Sequence, residues 1–184
     1  DISEIKDKRG CNCLFQAASK SRVEIFEDFI NSGILPNNSQ QFGGNTILHH
    51  CCILDSKKEI TDIILTRRYC DPKITNFNGN TALHEAIISK NNLDNRGEKT
   101  ENLDQIIDLL IESGGISDLK NNQGHSELNL ASKYGYEDIA TKISQKLNKS
   151  DFSKSPKNQV SLPQVILQSQ NKKFEINNSS AIAA

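Results

Sequence analysis

A short motif that recurs in register constrains this chain more than any other feature. One copy reads Gly79, Asn80, Thr81, Ala82, Leu83, His84, Glu85, Ala86. A second reads Gly44, Asn45, Thr46, Ile47, Leu48, His49, His50, Cys51. A degenerate third runs Gly124, His125, Ser126, Glu127, Leu128, Asn129, Leu130, Ala131. The weakest begins at Gly10 and continues Cys11, Asn12, Cys13, Leu14, Phe15, Gln16, Ala17, Ala18. The four glycines stand 34, 35 and 45 residues apart. A fixed period of ~20–50 residues marks a solenoid, in which each unit buries its apolar face only against its neighbours.

The chemistry of each motif position fits a turn that opens a helix. The glycine supplies the positive φ of a tight turn. Thr46, Thr81, Ser126 and, in the first copy, Asn12 stand where a side-chain oxygen caps a helix. Leu14, Leu48, Leu83 and Leu128 point to the core, and small residues such as Ala18, Cys52, Ala86 and Ala131 let neighbouring helices approach. A second apolar set follows in every unit: Val23 to Ile30, Ile60 to Leu65, Ile106 to Ile111, and Ile139 with Ile143 and Leu147. The last set is a single stripe with Lys142, Gln145 and Lys146 between its members, as a terminal unit with one wet face requires.

On these residues the chain resembles the ankyrin-repeat family from about Asp7 to Leu147, with the T-x-L-H-x-A core intact in the copy from Gly79. The resemblance implies an all-α solenoid of four helix-turn-helix units with short β-turn fingers. It divides the chain into an entry segment, 1–6, and a repeat domain, 7–147, with units at about 7–40, 41–75, 76–120 and 121–147. An insertion at roughly Asn91 to Asn102 lengthens the third unit, and its polar character predicts a solvated loop. From 148 to 184 the pattern stops, and Ser, Asn, Lys and Gln with Pro156 and Pro163 predict an irregular, mobile tail. Within that tail Val160 to Leu167, with Phe174 and Ile176, form one apolar stretch.

Composition narrows the function classes. Acidic and basic residues, 23 against 22, nearly cancel, so the strong basic excess of a nucleic-acid or anionic-membrane binder is absent. No apolar run approaches the ~20 residues that span a bilayer. Cys11, Cys13, Cys51, Cys52 and Cys70 are odd in number and irregular in spacing, which argues against a disulfide framework and for a reducing setting, cytoplasmic or nuclear. The abundance of Asn, Ile and Lys suits an AT-rich genome. For an effector secreted by an intracellular pathogen, the setting would be the host cytosol.

Catalysis and metal binding find little support. The resemblance assigns His49 and His84 to hydrogen bonds between repeats. His49, His50, Cys51 and Cys52 are adjacent on one helix, where successive side chains diverge by about 100° and do not converge on a metal. Cys51, Cys52 and Cys70 read as small apolar fillers, leaving Cys11 as the one turn-exposed thiol. No phosphate-cradling or nucleophile-elbow motif is present. No enzyme activity, cofactor or metal is expected.

What remains is a surface. The family's usual mode implies a module that binds another protein through its turn tips and first-helix face. Carried over unit by unit, the contact residues are Arg9, Phe42, Asn45, Phe77, Asn78, Asn80, Asn122, Gln123, His125, Lys133 and Tyr134. Phe42 and Phe77 each lie two residues before a turn glycine. Two readings stand for these rings: exposed anchors for a partner, or rings folded onto the neighbouring turn. The partner is a protein, with no nucleic acid or membrane insertion, and a monomer is expected. The alternative is a regulatory or targeting region of a larger enzyme, channel or pathogen effector whose activity lies outside this chain.

Overall fold

The computed structural model describes residues 5–154 apart from 9, 37, 39–41, 54–56 and 118; for Phe42 and residues 150–154 only the backbone is described. The chain divides into two units, Asp1–Ser150 and Asp151–Ala184. Among the described residues the helices come in pairs: α1 (Cys13–Ser19) with α2 (Val23–Asn31), α3 (Ile47–Ile53) with α4 (Lys58–Thr66), α5 (Ala82–Asp94) with α6 (Glu101–Glu112), and α7 (Glu127–Lys133) followed by α8 (Glu137–Lys154). The first helices stack as α1, α3, α5 and α7, and the second helices α2, α4 and α6 form a parallel row. This is an all-α repeat arrangement. Of the tail predicted from 148, α8 continues to Lys154 and residues 155–184 lie outside the described residues.

The two rows follow from their apolar spacing. In α6, Leu103, Ile106, Ile107, Leu110 and Ile111 recur every three or four residues, and all five are buried. Each such side chain withdrawn from water contributes about 1.5–3 kcal/mol, which a short helix cannot obtain from its own hydrogen bonds. Helix α5 shows no comparable stripe because it is covered on several sides, by α3, α6 and α7. There Ala82 and Ala86, both fully buried, keep the helices close. On α8 the buried residues are Ile139, Ala140 and Ile143, while Thr141, Lys142, Gln145 and Lys146 face solvent.

The expected β-turn fingers are not formed, since no strand occurs among the described residues. The junctions absorb their own backbone polar groups instead. The Asn76 carboxamide oxygen accepts from the amides of both Asn78 and Asn80, at 3.0 Å each. Asn121 repeats this with Gln123 and His125, also at 3.0 Å. Few groups are left to pair with the adjacent junction. The main-chain links are Phe77 N–H to the Gly43 carbonyl, 3.0 Å, and Asn122 N–H to the Asn78 carbonyl, 3.0 Å. Such isolated bonds do not make a ladder.

The insertion also departs from a plain loop. Its first residues extend α5 to Asp94, and Glu101 and Asn102 already belong to α6. A polar cluster holds it. Lys90 Nζ lies 2.9 Å from Asp104 and 3.4 Å from Asp94, and donates to the Thr100 hydroxyl at 2.9 Å. The Tyr136 hydroxyl donates to Asp94 at 2.6 Å, and the Lys90 ammonium sits 5.2 Å above the Tyr136 ring. Partial burial disfavours the Lys90 charge, yet the bond to Asp104 and the charges of Asp104 and Asp94 hold its pKa above the ordinary value. Burial and then the bond to Asp94 push the Tyr136 phenol up.

Two positions yield sharp expectations. Gly44 has φ +75°, and a methyl there would fall 2.8 Å from the Phe77 amide nitrogen, whereas Gly124, at φ +82°, has nothing within 4 Å. Gly124→Ala then carries only the left-handed backbone cost, ~1–2 kcal/mol, and Gly44→Ala adds a steric term, so it unfolds at lower urea concentration. Equal midpoints would contradict this account. Lys57 is 1 % exposed, and its Nζ finds no hydrogen-bond partner among the described residues. Burial lowers its pKa, with Cys51 and Cys52 opposing. The folded chain thus holds this proton less tightly than the unfolded one, so its contribution to stability rises with pH up to the ordinary lysine value of ~10.4. Lys57→Met is expected to stabilise by about 1–3 kcal/mol near neutral pH, with the gain shrinking toward pH ~10.4 in thermal melts.

Candidate protein-binding edge

Each first helix opens on a side-chain cap. Asn12 Oδ1 accepts from Phe15 N–H at 3.1 Å, Thr81 Oγ1 from His84 N–H at 3.3 Å, and Ser126 Oγ from Asn129 N–H at 3.2 Å. His49 and His84 reach back to complete the cap. Their Nδ1 atoms each accept the backbone N–H of the capping threonine at 3.2 Å. The far ring nitrogen crosses to the next repeat: His49 Nε2 is 2.9 Å from the Asn80 carbonyl, and His84 Nε2 is 3.1 Å from that of His125. A carbonyl only accepts, so Nε2 carries the proton in both rings. The inter-repeat role that the resemblance implied for these histidines is the one observed.

A buried amide ladder runs beside this line. Asn76 Nδ2 donates to Asn45 Oδ1 and to Glu85 Oε1, each at 2.8 Å. Asn80 Nδ2 donates to Glu85 Oε1 at 2.8 Å, and Asn80 Oδ1 accepts from Asn121 Nδ2 at 2.9 Å. Three repeats are thereby stitched together. Glu127, fully buried, accepts at Oε1 from the Thr81 and Ser117 hydroxyls, at 2.9 and 2.8 Å, and lies 3.3 Å from His84 Nδ1. Its Oε2 has no hydrogen-bond partner among the described residues.

The residues singled out from the sequence differ in exposure and in what holds them. Phe77 is 71 % exposed, although its ring borders Gly44 closely enough to forbid a methyl there. Its backbone is held on both sides, N–H to Gly43 and carbonyl to Asn122 Nδ2 at 2.9 Å. Asn78, Asn122 and Gln123 are exposed beside it, joined through the Asn122 to Asn78 link. Lys133 is exposed, its ammonium 5.9 Å above the Tyr134 ring. Tyr134 is half-buried and meets Tyr136 edge-on, with centroids 6.4 Å apart. His125 is half-buried. Asn45 is half-buried and Asn80 buried, and both are used in the ladder. Arg9 and the Phe42 side chain lie outside the described residues.

Sequence reasoning missed Asn76, Asn121, Glu85 and Glu127, which hold the edge from beneath. A signal existed: Asp7, Asn76 and Asn121 each stand three residues before a turn glycine. Asp7 serves its turn likewise, its Oδ1 accepting from Cys11 N–H at 2.9 Å.

The cysteines divide by burial. Cys51 and Cys52 are fully buried and Cys70 nearly so, while Cys11 and Cys13 are half-buried. Burial pushes the Cys51 and Cys70 thiols up to about 12, which disfavours the nucleophilic thiolate. Among the described residues no group of three or more His, Cys, Asp or Glu side chains could hold a metal ion. No helix among them is long and apolar enough to cross a membrane. A separate groove of about 760 Å³ lies on the second-helix side, bounded by Asp62, Leu65, Tyr69, Pro72, Leu109 and Glu112, and contains none of the edge residues.

A family model described as ankyrin repeats (3 copies) matches residues 14–96. No curated protein matches the chain.

Burial lowers the His49 pKa; the Asn80 carbonyl and Glu85 oppose this, while His84 adds to it. Because the folded ring releases its proton more readily than the unfolded ring, the stability it confers is full above the ordinary value of ~6.5 and is lost as pH falls toward the lowered folded value. Asn129 caps the fourth repeat with Ser126 without a titrating ring. His49→Asn is therefore expected to cost about 1 kcal/mol at neutral pH, through the lost inter-repeat bond, and to flatten the acid side of the stability profile. An unchanged acid slope in urea titrations would remove His49 as its source.

Proposed function

Residues 14–96 belonging to the ankyrin-repeat family, we propose that this chain is a protein-interaction module whose partner docks on the turn tips and the adjoining first-helix face. The family's repeats serve as interaction scaffolds rather than catalysts, so the chemistry to be sought is recognition. Phe77 carries the reading. A large ring 71 % exposed on a backbone fixed at both its N–H and its carbonyl is preorganised for a pocket in a partner. Aromatic anchors of that kind supply much of the binding energy of protein interfaces, and a rigid anchor gives up little conformational entropy on docking.

In this reading Phe77, Asn78, Asn122 and Gln123 make the central contact, and Arg9 and Phe42 are added from their motif positions alone. Lys133 and Tyr134 extend it along the first-helix face, and His125 borders it. Asn45 and Asn80 take part from beneath, by holding the tips in register.

The test is affinity capture from a cell lysate on the full chain, read by mass spectrometry, beside Phe77→Ala. The variant is expected to keep its melting temperature and to lose about tenfold or more in affinity for the captured partner. Partner affinity unchanged by the substitution would move the binding surface elsewhere.

A further inference from the structure

The distribution of charge on this edge specifies the partner's chemistry. A net charge of -1 is spread over both sides of the solenoid, each exposing groups of both signs, so what matters is how each group is engaged. On the second helices and their ends, exposed carboxylates such as Glu24, Asp28, Glu59, Asp62 and Glu112 share the surface with exposed cations such as Arg67, Arg68, Lys146 and Lys149. On the turns and first helices the described carboxylates are engaged within the fold. Asp7 accepts from the Cys11 amide and, at 2.7 Å, from the Gln16 carboxamide. Asp71 caps the Lys73 amide at 2.9 Å. Glu85 holds the amide ladder, Asp94 takes the Tyr136 hydroxyl, and Glu127 is buried.

The lysines of the same side are not so engaged. Lys8, Lys20, Lys73, Lys120 and Lys133 are all exposed, and none has an ion-pair partner among the described residues. Lys73 precedes the Asn76 turn by three residues and Lys120 directly precedes the Asn121 turn. Those two turns are the ones stitched together around Phe77. An exposed ring is therefore flanked in sequence, on consecutive turns, by lysines with no ion-pair partner among the described residues.

We infer that the partner presents an acidic segment bearing a large apolar side chain, its carboxylates facing Lys73 and Lys120 and its apolar group against Phe77. This rests on the turn-tip reading above and adds to it the class of partner. The ring supplies affinity. The lysines supply selectivity and encounter rate, since exposed pairs are individually worth only about 0.2–1 kcal/mol. A nucleic acid fits less well. The cations come roughly one to a repeat rather than as a continuous track, and Phe77 is the one large ring exposed among the described residues, short of a stacking platform.

The inference is tested by panning a displayed library of random dodecapeptides on the full chain. The enriched peptides are then synthesised with a fluorophore, and their affinities measured by anisotropy. Enrichment of Asp and Glu around a Leu, Ile or Phe is expected. Binding should weaken as salt is raised from about 50 to about 500 mM. It should fall about tenfold in a Lys73→Glu, Lys120→Glu double variant whose circular dichroism and melting temperature match the parent. Enriched peptides without acidic residues, or no enrichment, would overturn the inference. Affinity lost in Phe77→Ala but kept in the double variant would also overturn it while leaving the turn-tip reading intact. Indifference to both substitutions would sink the two together. Tighter binding of a single-stranded oligonucleotide than of the peptides would reassign the face to polyanions. Dimerisation in ultracentrifugation, abolished by the double variant, would reassign it to exposed carboxylates of another copy.

Discussion

A first helix of seven residues, as α3 is, is too short to persist in water by its own hydrogen bonds. What sustains it is the bond that each buried histidine makes in two directions. Through Nδ1, His49 and His84 accept the backbone N–H of the residue that caps their own helix; through Nε2 they donate to a carbonyl in the next repeat's turn. One ring thus starts a helix and sets the height of the following turn. Because these groups are shielded from water, losing one partner would leave the other desolvated and unpaired, a larger cost than the net worth of an exposed bond. The amide ladder from Asn45 through Glu85 to Asn121 applies the same constraint one layer further out.

The outer edge inherits its geometry from that interior. Phe77 can stand uncovered because its backbone needs nothing from its ring: Gly43 takes its N–H and Asn122 serves its carbonyl. The carboxylates nearby are likewise held by turns and ladders, while Lys73 and Lys120 have no ion-pair partner among the described residues. Which polar groups stay open on this edge is a by-product of how the fold satisfies the rest.

Departures from regular repetition also have local causes. In the fourth repeat Asn129 replaces the histidine and completes a capping box with Ser126. Its shorter side chain lacks a second ring nitrogen with which to reach a further repeat, which agrees with α8 exposing one whole face. The insertion in the third repeat extends α5 instead of looping freely because Lys90, Asp94, Thr100, Asp104 and Tyr136 neutralise one another across it. Each of these residues is polar, so in sequence the stretch resembles a solvated loop. Only their convergence makes it a structure.

Much was legible from local chemistry alone. Motif spacing located the repeats, the Thr and Ser caps located helix starts, and the period of α6 named its buried residues, since caps and periodicity depend on neighbours within a turn or two. Phe77 was singled out by its place before Gly79, but whether it would be covered was not legible there, and Asn80, assigned to the surface, is instead buried in the ladder. Asn76 and Asn121 passed unnoticed because an asparagine before a turn looks the same whether it faces water or closes the turn on itself. That distinction bears on the absence of strands among the described residues: once those side chains accept the junction's amides, too few backbone groups remain for pairing. The sequence by itself determined the helical repeats and the edge along which their opening turns fall. Tertiary structure alone decided which polar groups on that edge were already spent, because a hydrogen bond between residues more than thirty positions apart leaves no trace in either one's local surroundings.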